Sequence, residues 1–382
     1  MFEQKLYYKN IPISKKRVAN TLKFPYTAIS EIANNKNPCF IWTGTGTIKF
    51  PSFYSKTINK LSKKTITIYL YEPQSFYTKR LNRHYFSEFS SDTDILKIKS
   101  TELDSISRFQ KKYNLNIIVK TCEYNSKILE LQYPKLQIEC YDIFLREISN
   151  DPVGDVNIDK KEINKKFFCS NWRYALHRHF TTAYVSNFDS NFSWYYNCSI
   201  GTIKSNNFFN LDDIKNEVVK EKLITGFRNL NTPNTVFDKK GKVDIDNTDI
   251  SFHPDGDAWH NDIPRENYTE SFCAIINETR YFQPFPNISE KTLRAIDNRI
   301  PFIIVGPPYT LEYIKSLGFK TFNKWWEESY DQETDHQKRM YLILDLIEKI
   351  GNLSFNELQE IYQEMIPTLN YNRKVFLNLN KV

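Results

Sequence analysis

Short continuous apolar runs recur in the first half of the chain, at Cys39 to Trp42, Ile66 to Tyr71, Asn116 to Lys120 and Leu136 to Cys140, set among polar turns and helical stretches. Runs of this kind form strands when both faces of a sheet are covered, so their continuity predicts a parallel sheet under helices. A helix from Glu102 to Tyr113 carries Leu103, Ile106 and Phe109 on one face. From Ser149 to Lys166 the chain turns polar, with Pro152 and Gly154 and neither period, and this stretch reads as a linker.

A second α/β region opens with Phe167-Phe168-Cys169. Its middle, Asn197 to Glu270, is rich in Asn, Asp and Lys and gives no readable period. The pattern returns at Ser271, where Phe272 to Ile276 forms a buried strand that delivers Asn277-Glu278-Thr279-Arg280 to its carboxyl end. Open parallel sheets bind ligands at that end. Ser289 caps a helix with Leu293 and Ile296 inward, and Pro301 to Val305 is another strand, ending at Gly306-Pro307-Pro308. Thr310 then caps a helix bearing Leu311, Ile314 and Leu317, Gly318 takes the left-handed position after it, and Phe319 to Phe322 is a short strand. Two or three amphipathic helices follow from Arg339. The expected architecture is α/β: two Rossmann-like domains facing across a cleft, residues 1–150 and 167–338, joined by a linker at 151–166. Helices in 339–382 pack back across that linker.

Length agrees with this division, since 382 residues favour two domains over one or three. No apolar run approaches the ~20 residues of a membrane span. The first residues lack the basic and apolar regions of a secretory signal, so a cytoplasmic location is expected. The six cysteines are scattered through apolar runs, which suits reduced core thiols better than a disulfide frame or a metal knuckle. A formal charge of +7, without a basic tail, permits a polyanionic partner and does not require one.

Two places carry candidate chemistry. Lys291 stands in the first turn of a helix, where a cation opposes the macrodipole unless an anion is bound there. A phosphate ligand explains it, and so does a solvated surface lysine. Arg280 reaches the same edge of the sheet, and Glu290 is placed to hold a ribose or sugar hydroxyl. The second place is Lys165 to Phe180, which presents Asn171, Arg173, His177 and Arg178 after a strand. The arginines suit an anion, or alternatively surface ion pairs. His177 and His179 lie two apart, about 200° around a helix, which argues against a metal site.

The strand KKFFCSN followed by Arg178, together with NETRYFQPFPNISEKTLRAIDNRIPFIIVG, resembles the donor domain of the alpha-1,3-fucosyltransferase and exostosin-like families. That resemblance implies a GT-B-like glycosyltransferase with a nucleotide-sugar co-substrate and no further cofactor. It implies Arg178 and Lys291 on the diphosphate, Glu290 on the ribose or sugar, and Glu278 near the sugar. Asn277-Glu278-Thr279-Arg280 departs from the family's Glu-Asn-Ser, so donor identity does not transfer. The whole chain also resembles proteins of tailed phages through YLYEP, ELDSI and GFKTF.

Inverting sugar transfer needs a carboxylate to deprotonate the acceptor and cations to hold the departing diphosphate, and needs no metal. Glu72, at the carboxyl end of the strongest N-terminal strand, is the candidate base, with Glu88, Asp92 and Asp104 as alternatives. Pairing of Glu72 with Arg80 or Arg83 is the competing reading. The acceptor is expected to be a hydroxymethylated base in phage DNA or a surface glycan. A non-catalytic protein that meets nucleic acid or glycan directly is the alternative from another class.

Overall fold

The computed structural model describes residues 6–7, 38–42, 55–70, 101–121, 129–131, 133–141, 149, 152, 158–159, 161–171, 175–192, 211–230, 235–238, 241–244, 265–278, 281–282, 286 and 288–379. The chain divides into two compact units, Met1–Asp151 and Pro152–Val382.

In the first unit the elements are β1 (Leu6–Tyr7), β2 (Cys39–Trp42), α1 (Ser55–Leu61), β3 (Thr65–Leu70), α2 (Thr101–Tyr113), β4 (Asn116–Thr121) and β5 (Gln137–Cys140). They build a sheet of order β1-β2-β3-β4-β5, parallel at every pairing. Ile66, Ile68, Tyr69 and Leu70 of β3 are buried, as a strand covered on both faces requires. β4 instead alternates, with Ile117, Val119 and Thr121 inside and Lys120 paired to Glu139 at 2.7 Å. Leu103, Ile106 and Phe109 form the buried stripe of α2, as their spacing predicts.

The second unit runs β6 (Lys165–Cys169), α3 (Leu176–Val185), β7 (Ser190–Phe192), α4 (Glu217–Leu230), β8 (Thr235–Asp238), β9 (Gly241–Asp244), α5 (Arg265–Glu270), β10 (Ser271–Asn277), α6 (Glu290–Asp297), β11 (Phe302–Val305), α7 (Thr310–Ser316), α8 (His336–Gly351) and α9 (Phe355–Asn378). Its sheet is parallel with order β11-β10-β6-β7, and β8 and β9 form an antiparallel pair. All seven residues of β10 and all four of β11 are buried. α3 is buried along its full length and crosses α4 at Gly226, where a Cβ would stand 1.8 Å from the Ala183 oxygen. Only glycine permits that approach.

Three local expectations change. Lys165 and Lys166, read as linker, belong to β6. Phe319 to Phe322 is not a strand, because side chains take its main-chain groups: Asn372 bonds both the amide and the oxygen of Lys320 at 2.8 Å, and Glu328 accepts from the Phe322 amide. The cap residue of α7 is Tyr309, at φ +63, rather than Thr310. The Thr310 hydroxyl donates to the Pro307 oxygen, and the amides of Leu311 and Glu312 are met by the Asp331 carboxylate. Ser289 accepts from the Lys291 amide as expected, and Gly318 has φ +93. α9 begins with a capping box between Ser354 and Glu357. Gln359 of α9 accepts from the Ile163 amide and donates to the Lys161 oxygen, which holds the chain just ahead of β6.

From β6 the chain moves to β7 on one side, and it later returns to place β10 on the other. The carboxyl ends of β6 and β10 therefore flank a topological switch point, where an open parallel sheet leaves a crevice. Among the described strands of the first unit, order follows sequence and no such reversal occurs.

Candidate functional site

The floor at the switch point is a buried polar network. Asn171 donates to Thr182 Oγ1 at 2.8 Å and to Cys169 Sγ at 3.4 Å, Asn277 donates to the same sulfur at 3.3 Å, and Thr181 donates to Asn277 Oδ1 at 2.8 Å. Burial pushes the Cys169 thiol pKa up. The Asn171 amide nitrogen, expected at the donor, is thus turned into the fold and fastens β6 to α3.

α3 starts from this floor. Its N-cap is Ala175, in extended conformation and with no side-chain cap. Alanine there leaves first-turn amides without the usual hydroxyl or carboxylate acceptor, which is the arrangement that receives an anion. His177 and Arg178 occupy the first turn, both buried. His177 Nε2 lies 2.8 Å from the Glu278 main-chain oxygen. A carbonyl only accepts, so Nε2 carries the hydrogen. Burial drives the His177 pKa well below the ordinary value, and the charges of Arg178, Arg339 and Lys291 push it the same way. The ring is therefore neutral.

Glu278, at the end of β10, is fully buried. Its Oε1 accepts from the Ser289 amide at 2.9 Å and from Thr292 Oγ1 at 2.6 Å, which fixes the start of α6 against the end of β10. Lys291 then stands beside the same edge, its ammonium 2.8 Å from Glu290 Oε1 and 3.2 Å from Ser289 Oγ. Both side chains of that pair are 20% exposed, so they form one partly solvated unit. Gly306, just past β11, closes the edge: a Cβ there would come within 3.4 Å of Glu278 Cβ.

Arg339 of α8 escaped sequence reasoning. It is 1% exposed and bonds main-chain oxygens at Gly306, Glu333 and Tyr281 at 3.1, 2.8 and 2.8 Å. Its guanidinium lies 4.4 Å from the Tyr281 ring centroid, and that ring stacks on His177 at 5.2 Å and 13°. One buried cation thereby ties the chain after β10 to the chain after β11 and braces His177. The signal was an arginine on the buried stripe of α8, in register with the buried Ile343, Ile347 and Ile350.

Glu72, Glu88, Asp92, Arg173 and Arg280 lie outside the described residues. Asp104, the remaining alternative base, accepts from the Tyr133 hydroxyl at 2.9 Å. His179 stacks on Phe227 of α4 at 5.0 Å, facing another neighbour than His177 does. Among the described residues there is no cluster fit to hold a metal ion, and no helix is long and apolar enough to cross a membrane.

No family model and no curated protein matches the sequence. Among solved structures, the chain is similar to the DNA-modifying enzyme beta-glucosyltransferase, studied with and without uridine diphosphoglucose, at 9% identity and TM-score 0.39. That match covers all of this chain and 94% of the other. It is also similar to T4 phage BGT in complex with UDP-glucose, at 9% identity, TM-score 0.36 and 100% and 96% coverage. A further T4 phage beta-glucosyltransferase structure matches at 10% identity and TM-score 0.38, over 100% and 98% of the two chains.

Proposed function

We propose that this chain is a GT-B-type glycosyltransferase that moves a sugar from a nucleotide-sugar donor to a hydroxyl acceptor, with a hydroxymethylated base in DNA as the preferred acceptor. The observation that carries the reading is that Glu278 ties the first turns of α3 and α6 together at the switch point, through His177 and Ser289, and that those two turns carry Arg178 and Lys291. These cations come from two separate crossover helices, and an uncapped helix start stands between the sheet and one of them. A pyrophosphate is a ligand suited to two cations and a helix start placed in this way.

In this reading Arg178, Lys291 and the first amides of α3 hold the diphosphate. Arg173 and Arg280 add positive charge from the adjoining segments, and Glu290 accepts from a ribose or sugar hydroxyl. Glu278 and Asn171 act behind them by fixing the two helix starts. The acceptor oxygen attacks the anomeric carbon with inversion as Glu72 takes its proton. The bond to the diphosphate breaks, and its electron pair leaves on the phosphate oxygen, which the cations stabilise. No metal enters this scheme.

The test is a binding and hydrolysis screen of purified protein against UDP-, GDP- and CMP-linked sugars. Mass spectrometry of nucleosides then follows incubation of hydroxymethylated DNA with whichever donor is bound. A protein that neither binds nor hydrolyses any donor removes the reading. Donor turnover with transfer only to glycan keeps the enzyme and changes the acceptor.

A further inference from the structure

The first unit has a second charged feature, at the amino edge of its sheet. Three turns meet there: the one from α1 into β3, the one from α2 into β4, and residues 133–136 leading into β5. Because β3, β4 and β5 are adjacent, these turns lie side by side at the ~4.8 Å spacing of neighbouring strands. Side-chain bonds lock them together. Asn116 donates to Thr65 Oγ1 at 2.9 Å, and Gln110 donates to the Lys135 oxygen at 2.7 Å. Asn114, at φ +50, turns α2 directly into β4 and keeps the edge short.

Each turn brings lysines to that edge. Lys60, Lys63, Lys111, Lys112 and Lys135 are all exposed; residues 59–65, 107–117 and 132–137 contain no carboxylate, while Glu130 reaches the edge and accepts from the Ile138 amide at 3.0 Å. The acids of α2, Glu102 and Asp104, sit at its other end, about 10 to 15 Å from Lys111 and Lys112 along the axis, although the Tyr133 side chain reaches from the third turn to Asp104 at 2.9 Å. Helix dipoles account for part of this pattern. Lys60 ends α1 and Lys111 and Lys112 end α2, where cations are favoured. Lys63 and Lys135 lie beyond the ends of α1 and α2, so the dipoles do not explain them, and like charges gathered on one rigid edge repel one another.

We infer that this edge binds the sugar-phosphate backbone of duplex DNA. A fixed row of cations fits a fixed row of phosphates. The exposed neighbours of the row include Ser62, Asn114 and Asn116, which bond phosphate oxygens, beside one exposed apolar side chain, Leu131. The inference goes beyond the donor site and stands without it: the edge holds DNA irrespective of sequence, apart from the place where a sugar is transferred.

Fluorescence anisotropy of the full chain with an unmodified 30-base-pair duplex, read from about 50 to 200 mM salt, tests it. Each phosphate contact contributes about 0.9 to the slope of log affinity against log salt. The triple variant K63Q/K111Q/K135Q is expected to lower that slope by about 2.7, with donor binding unchanged. K63R/K111R/K135R is expected to keep it. An unchanged slope in the glutamine variant overturns the inference, as does failure of the unsubstituted protein to bind duplex at 50 mM salt. Preferential capture by vesicles of anionic phospholipid overturns it too. None of these outcomes bears on donor binding, so this inference and the donor-site reading fail separately, while failure of the unsubstituted protein to bind duplex also counts against DNA as the acceptor.

Discussion

Glu278 receives the Nε2 proton of His177 on its main-chain oxygen at 2.8 Å, while its carboxylate holds the start of α6. A single residue at the end of β10 therefore sets the position of two helix starts. Glu278→Ala leaves the Ser289 amide and the Thr292 hydroxyl without their buried acceptor, at a cost of about 2 to 4 kcal/mol in unfolding free energy. Glu278→Gln keeps an acceptor and should lose about half of that or less. Urea denaturation of both variants checks the order, and equal losses would mean that the carboxylate packs without bonding.

Arg178→Ala and Lys291→Ala are each expected to weaken donor binding by about 1.5 to 3 kcal/mol, or roughly 10- to 150-fold, as loss of a charge-assisted bond does. Calorimetric titration with the donor identified in the screen measures this. Glu72→Gln is the counterpart: donor affinity stays and transfer falls. Unchanged affinity in both cation variants rejects the diphosphate placement, whereas normal turnover of the glutamine variant moves the base elsewhere.

His336 gives a pH signature. Its Nδ1 lies 3.0 Å from the Arg339 guanidinium, so Nδ1 accepts, and burial followed by that positive charge lowers the pKa to about 4. An unfolded chain, with the ordinary value near 6.5, binds the proton first as pH falls. The stability tied to a neutral His336 is thus intact above pH 6.5 and shrinks toward pH 4, by about 1.4 kcal/mol per unit within that window. His336→Asn keeps an acceptor and abolishes the titration. The difference between wild-type and variant unfolding free energies should therefore narrow by about 2 kcal/mol or more from pH 6.5 to 4.5, and a constant difference would refute the assignment.

Arg339→Met leaves three buried main-chain oxygens without their donors and should destabilise the protein by about 3 kcal/mol or more. Arg339→Lys keeps the charge and loses the fork that reaches Gly306, Glu333 and Tyr281 together. At temperatures well below its melting point, the lysine variant should still bind donor several-fold more weakly than wild type, because the Tyr281 to His177 stack has lost its brace. Full affinity in a folded lysine variant would confine Arg339 to stability.

The strands legible in sequence were those with a continuous apolar run, such as Phe272 to Ile276 and Phe302 to Val305, where burial on both faces leaves no alternative period. The Ser289 cap was legible for a similar reason, since its donor, the Lys291 amide, is local. What escaped depends on distant partners. Asp331 caps α7 from the far side of the following turn, and Asn372 occupies the main-chain groups that would have made Phe319 to Phe322 a strand. At the site, the charges of Arg178 and Lys291 were visible, but the inward turn of Asn171 and the Glu290–Lys291 pair depend on packing that no local spacing records. Arg339 was visible only as an arginine out of place on an apolar stripe.

The clasp between Gln359 and residues 161 and 163 has a consequence for biosynthesis. β6 leaves the ribosome about two hundred residues before the helix that secures its approach, so its leading segment waits for α9 before its main-chain groups are satisfied. Completion of this half of the molecule then waits until α9 has been made. Limited proteolysis of stalled nascent chains, released before or after residue 378, would reveal the delay as a change in protection near residue 161.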